Sequence, residues 1–140
     1  MIADLMTAIK SRYLSDAGAS LRAANTGGLW WQQAPQDTAM PFVIVYWISS
    51  TCDDFAGGAS DRIEKADLQF SVFSDAEDGG TEAADIIKKT QTLYDWCALQ
   101  LPTGSTYTHL AFDRTGTGNM SLNEDGIWHA VILYTVWFEH

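Results

Sequence analysis

The side chains able to do acid–base, nucleophilic or metal chemistry are few in this sequence, and their spacing assembles no recognisable centre. His109 and His129 are the internal histidines, with Asp113 following the first. A histidine and a carboxylate act as a general base only where the fold sets them within hydrogen-bond reach, and this spacing sets nothing. Both histidines fall in stretches with strand patterning, where a hydrogen-bonded place in a sheet is the expected role. No G-x-S-x-G elbow presents a nucleophile on a tight turn. Asp75 to Glu82 invites comparison with a calcium loop, but Gly79 and Ile86 stand where the ion needs an oxygen ligand and a bidentate glutamate. Asp53, Asp54 and Asp61 gather carboxylates without a histidine or further ligand at a fixed spacing. Cys52 and Cys97 have no CxxC spacing and read as free buried thiols. Gly116-Thr-Gly118 lacks the third glycine of a dinucleotide fingerprint and reads as a turn. No catalytic, cofactor-binding or metal-ligating residue is expected, and no cofactor.

The elements that would position any site follow from hydrophobic period. Ile2, Leu5, Met6, Ile9 and Tyr13 fall on one face of a helix, opposite Asp4, Thr7, Ser11 and Arg12. Leu21 to Ala24 adds a further helical turn before Asn25 to Gly28 stops it. Leu29 to Gln33 is a short strand limited by Pro35, and Phe42 to Ile48 is an unbroken apolar strand that needs cover on both faces. In Asp61 to Ser74, Ala66, Leu68, Phe70 and Val72 alternate with Asp67, Gln69 and Ser71, a half-buried strand. Thr81 to about Leu101 has helical spacing, ended by Pro102 and Gly104. Tyr107 to Phe112 and Ile127 to Phe138 form a hairpin, with a short strand at Met120 to Leu122 turned into the last one by Asn123 to Gly126. The last strand is apolar on both sides, Ile127, Val131, Leu133 and Trp137 on one and Trp128, Ile132, Tyr134 and Phe138 on the other. The fold class expected is α+β, an antiparallel sheet of four to five strands with two main helices on one face, in a single domain spanning residues 1–140.

A chain of 140 residues can bury one core. Its charged fraction, 19%, is below the roughly 25% of ordinary globular proteins. Trp30, Trp31, Trp47, Trp128 and Trp137 cannot all point into one small core, which implies surface buried against other subunits. A formal net charge of −10 speaks against a protein that grips nucleic acid, since gripping phosphates takes clustered Lys and Arg. The N-terminus lacks the basic flank of a signal peptide and no apolar run is long enough to span a bilayer. Synthesis in a cytosol and no membrane partner are expected.

Read in order, these features resemble the tail-completion, or tail-terminator, proteins of long-tailed bacteriophages. The resemblance rests on the N-terminal amphipathic helix, Gly28-Leu-Trp-Trp with Ala34-Pro35, Pro41-Phe-Val-Ile-Val, an acidic glycine-containing loop, Leu68-Gln-Phe-Ser-Val-Phe73, a helix, and Asp125-Gly-Ile-Trp-His-Ala130, and it covers nearly the whole chain. It implies an α+β virion subunit that forms a ring, commonly six-membered, at the head-proximal end of the tail tube. Its partners would be further copies of itself, the tail tube protein and the head–tail connector or adaptor, and DNA would pass through without specific binding. The host bacterial cytoplasm would be the place of synthesis and the virion neck the destination. The expected subunit interface is Trp47, Trp128, Tyr134, Trp137 and Phe138, with Trp128, Tyr134 and Phe138 on the outer face of the terminal strand. The expected channel-facing acids are Asp53, Asp54, Asp75, Glu77 and Asp78. Another phage neck or minor tail component, or a non-catalytic α+β module binding a ligand or peptide, is the alternative; an enzyme using His109, His129 and Asp113 comes third.

Overall fold

The computed structural model describes residues 1–54 and 62–140, the side chains of Asp53 and Asp54 excepted. The chain runs α1 (Ile2–Leu14), a 3-10 turn (Asp16–Gly18), α2 (Ala19–Ala24), β1 (Leu29–Trp31), β2 (Phe42–Asp54), β3 (Arg62–Ser74), α3 (Thr81–Tyr94), β4 (Thr108–Thr117), β5 (Ser121–Leu122) and β6 (Trp128–Glu139). The sheet order is β1-β2-β3-β6-β4, with β5 continuing the β4 edge along β6. The α+β class with helices against a largely antiparallel sheet agrees with the sequence. The sheet has six strands, however, and β1 runs parallel to β2, pairing Leu29 with Val43 and Trp31 with Val45. The long connection from Gln32 to Pro41 is what lets two consecutive strands lie parallel.

Two helical faces and one sheet face close the core. Leu5, Ala8, Ile9 and Tyr13 of α1 and Ala83, Ile86, Leu93 and Tyr94 of α3 are buried, as their helical spacing requires. They meet the inward residues of the sheet, Val43 and Val45, then Leu68, Phe70 and Val72, then Ile132, Tyr134 and Val136. Phe70 lies at the centre, its ring 5.0 Å from Tyr94, 5.3 Å from Tyr134 and 6.3 Å from Phe112, each edge-on. The preferred edge-to-face geometry adds to the area that each ring buries. Polar threads tie the helices together: the Tyr94 hydroxyl donates to the Ile9 carbonyl at 2.9 Å, and the Arg12 Nε donates to the Leu93 carbonyl at 2.7 Å. At Gly18 an added Cβ would lie 2.1 Å from the Tyr13 carbonyl oxygen, so only glycine lets the chain fold back so tightly from α1.

The second long helix stops at Tyr94, short of the expected Leu101. Its end is drawn onto the sheet. The Asp95 carboxylate accepts the Tyr134 hydroxyl at 2.7 Å, Trp96 takes a left-handed φ of 56°, and the Trp96 amide donates to the Phe112 carbonyl at 3.0 Å. Gly116 lies inside β4 instead of forming a turn, paired with Leu133, and a register shift just before it leaves Thr115 as the extra residue. Truncating the central ring, Phe70→Ala, is expected to lower stability by about 3–5 kcal/mol, read as a shifted midpoint in chemical denaturation.

Candidate functional site

The helices cover one face of the sheet; on the other, among the described residues, no helix lies, and residues 32–40 run beside Phe42, Ile44 and Tyr46, where Ile44 is buried. Strand alternation and register fix what that second face presents. Phe42 pairs with Phe73 and Phe73 with His129; Ile44 pairs with Ser71 and Ser71 with Val131; Tyr46 pairs with Gln69 and Gln69 with Leu133. One end of the face is therefore aromatic: Phe42 and Phe73 rings lie 5.2 Å apart, and His129 stacks on Phe73 at 4.6 Å with 2° between planes. A register shift between Trp47 and Ser49 leaves Ile48 as the extra residue of a bulge, and Trp47 and Ile48 are both exposed there. A cavity of ≈ 380 Å³ opens there between Tyr46, Trp47, Gln69, Phe73 and His129.

Toward the middle the face turns polar. Asp67 accepts the Ser49 hydroxyl from β2 at 3.0 Å and the Thr135 hydroxyl from β6 at 2.6 Å. Further along, Lys65 holds its ammonium 5.5 Å from the Trp137 ring centre. Trp47 is in register with the inward-facing Leu68 and is exposed at the bulge, whereas Trp137 stands on the uncovered face.

Tyr134 and Phe138 do not. Each is 1% exposed beneath the helices, which corrects their placement on the outer face of the last strand. The two-residue alternation along β6 was read correctly and its direction was reversed: Phe70, which faces the helices, pairs with Ile132 and so turns the even positions of β6 inward. Trp128 is half-buried against the core at the end of the sheet, beside Gly80 and Met120. Cys52 is exposed, contrary to expectation, because it lies far along β2 beyond the core positions; Cys97 is buried, and desolvation pushes its thiol up to about 11.

The acidic segments separate to opposite ends of the sheet. Asp53 and Asp54 pair through their backbones with Ile63 and Arg62 at the start of β3, whereas Asp75, Glu77 and Asp78 follow its end. Thirteen residues of β3 lie between, about 40 Å of extended chain. Asp78 also has a local task, since its carboxylate accepts the Gly80 amide at 3.1 Å and the Glu82 amide at 3.0 Å at the start of α3. Glu124 and Asp125 join this end, which sequence reasoning missed. Leu122 pairs with Trp128, and Trp128 with Ser74, so the Asn123 turn stands at the same end of the sheet as Asp75, across β6 from it. The signal was the Asp125-Gly126 reversal, which places its acids at a strand end once the strands are paired.

The residues weighed for catalysis are not brought together. His109 pairs with Phe138 on the helix-covered side, and its Nδ1 accepts the Leu99 amide at 3.3 Å. Asp113 pairs with Thr135 on the other face, and His129 lies six residues further along β6, about 20 Å away. Among the described residues no group of three or more His, Cys, Asp or Glu is placed to hold a metal ion.

Burial lowers the His109 and His129 affinities for a proton below the ordinary imidazole value of 6.5, although a backbone hydrogen bond at Ala111 opposes the shift for His109. The unfolded chain then binds more protons than the folded one as pH falls through 6.5, so their stabilising contribution is full above that value and is lost below it. Denaturation midpoints are expected to fall between pH 7.5 and pH 5, and His129→Phe is expected to flatten part of that slope.

No protein-family model and no curated protein matches the chain. Among solved structures, a chain of the "Virion of native gene transfer agent (GTA) particle" is similar with a TM-score of 0.74 and 16% identity, over 99% of this chain and 97% of that one. A second solved chain is similar with a TM-score of 0.58 and 14% identity, over 99% of this chain and 94% of that one. At these identities the likeness is one of fold, and in the first case it is a fold that serves in a virion.

Proposed function

We propose that this chain is a structural virion protein that assembles as a six-membered ring at the head-proximal end of a phage tail tube, terminates the tail and joins it to the head–tail connector. The likeness over 99% of its length to a chain of a virion particle carries this reading. The sequence features that resemble tail terminators supply the finer position in the neck. The tail tube protein, the connector or adaptor and further copies of itself are its partners, and the virion neck is its location after synthesis in the host bacterium. Among the described residues no helix is long and apolar enough to cross a membrane.

The physical features support assembly over catalysis. The face away from the helices leaves Leu133 exposed and Trp137 half-buried, and Trp47 and Ile48 are exposed at the β2 bulge, as in a subunit that needs neighbours. A net charge of −10 per subunit, repeated around a ring, gives a conduit that repels the phosphates of passing DNA. Because the acidic ends of the sheet are far apart, they meet DNA at different levels of the channel. Asp53 and Asp54 would line one level, and Asp75, Glu77 and Asp78, joined by Glu124 and Asp125, the other.

Native mass measurement with negative-stain images tests the reading directly: a closed ring with an open centre is expected, and a monomer that never joins tail tubes overturns it. The double change Asp75→Lys with Glu77→Lys is expected to leave assembly intact and to slow DNA release, since both acids are exposed and Asp78 keeps its bonds at the start of α3. Unchanged ejection kinetics would remove these acids from the channel.

A further inference from the structure

Two features at opposite edges of the sheet complement each other. The first is a groove of ≈ 370 Å³ between α1 and the edge strand β1, walled by Met6, Leu14, Trp30 and Trp31. Leu14 is 59% exposed although it is a large apolar side chain. Within the groove the Lys10 ammonium donates to the Leu29 carbonyl at 2.8 Å and lies 5.4 Å from the Tyr13 ring centre and 5.3 Å from that of Trp30. Among the described residues the ion pairs are Lys89 with Asp85 and Arg114 with Asp95, so Lys10 has no carboxylate there. In a chain so rich in acid, a half-buried cation without a carboxylate calls for one from outside. Gly28 and Gln32 make their backbone bonds to β2, so the alternation of a parallel pair turns the Leu29 and Trp31 amides to the free edge beside this cation.

The second feature is the turn after β5. Leu122 is 53% exposed, and Glu124 and Asp125 project from the turn itself. The turn is set beforehand: the Asn123 side-chain oxygen accepts the amides of Asp125 and Ile127, both at 2.9 Å. It is an apolar knob with two carboxylates, opposite in charge to an apolar groove with one ammonium.

Register sets the two at the same height. Leu29 pairs with Val43, Val43 with Val72 and Val72 with Ala130, and the neighbouring His129 pairs with Ser121. Across β2, β3 and β6 the edges stand about 19 Å apart, so a chain cannot seat its own turn in its own groove. A second copy at the same level can, and a contact between unlike patches is the kind that closes a ring by rotation.

We propose that the Leu122–Asp125 turn of one copy docks in the α1/β1 groove of the next, Leu122 against Met6 and Leu14, and a carboxylate of Glu124 or Asp125 on the Lys10 ammonium. This rests on the ring reading and names the surface that builds it. It places the intersubunit contact at the sheet edges, leaving the uncovered face to tube or connector.

The test is native mass measurement and sedimentation of the full chain as Lys10→Glu, as Glu124→Lys with Asp125→Lys, and as all three together. Each charge change alone is expected to raise the concentration needed for the ring at least tenfold, and the combination to restore it. Leu14→Asp, at an exposed site on the groove rim, serves as a second groove variant should Lys10→Glu lose the fold by circular dichroism; it is expected to break the ring as well. A ring that forms unchanged in these variants overturns the edge contact and leaves the ring reading standing, as does a combined variant that fails to reassemble. A wild-type chain that stays monomeric even with tail tubes overturns both.

Discussion

The packing of three aromatic rings around Phe70 is the interaction on which the rest of this structure depends. Phe70, Phe112, Tyr134 and Tyr94 come from β3, β4, β6 and the end of α3, and their mutual contacts at 4.9 to 6.3 Å leave one arrangement of the helix on the sheet. Tyr94 then reaches α1 through the Ile9 carbonyl, so both helices are committed to the same face. A single helical layer follows, and with it a sheet whose second face has no helix on it. The uncovered face with its aromatic end is thus a consequence of where the core rings are spent, as much as of the residues that line it.

Several parts of this were legible in the sequence for plain reasons. The apolar period of Ile2 to Tyr13 and the alternation of Ala66 to Val72 are strong because only one face of each is buried. The last strand was legible in alternation and illegible in direction. Apolar residues occupy both of its faces, and the choice between them comes from its pairing with Phe70, a contact about sixty residues away in the chain. The end of α3 was hidden for a related cause: Ala98 to Leu101 continue an apolar pattern, and it is the hydrogen bond of Asp95 to Tyr134 that turns the chain away. The parallel pairing of β1 has no local signature, since three residues carry no directional information.

The candidate surfaces divide in the same way. Trp137 lies on the face away from the helices and Trp47 is exposed at the bulge of β2, whereas Tyr134 and Phe138 belong to the core. The acidic loops were visible as composition, but their separation to the two ends of a thirteen-residue strand, and the company that Glu124 and Asp125 keep with Asp75, are facts of register. The Lys10 groove was not foreseeable from composition, because its cation is unusual only in what surrounds it.

Asp67, accepting hydroxyls from the strands on both sides of it, also bears on how the chain finds its alignment. A sheet with apolar residues on both faces tolerates sliding better than most, since a slip by one residue exchanges one greasy surface for another. Asp67 removes that tolerance. Shifted by one, it would carry a carboxyl group under the helices, among Phe70 and its neighbours, and strand Ser49 and Thr135 without their acceptor. A single acid in the middle strand thereby proofreads the alignment of three, in a protein whose edges must meet other copies at a fixed height.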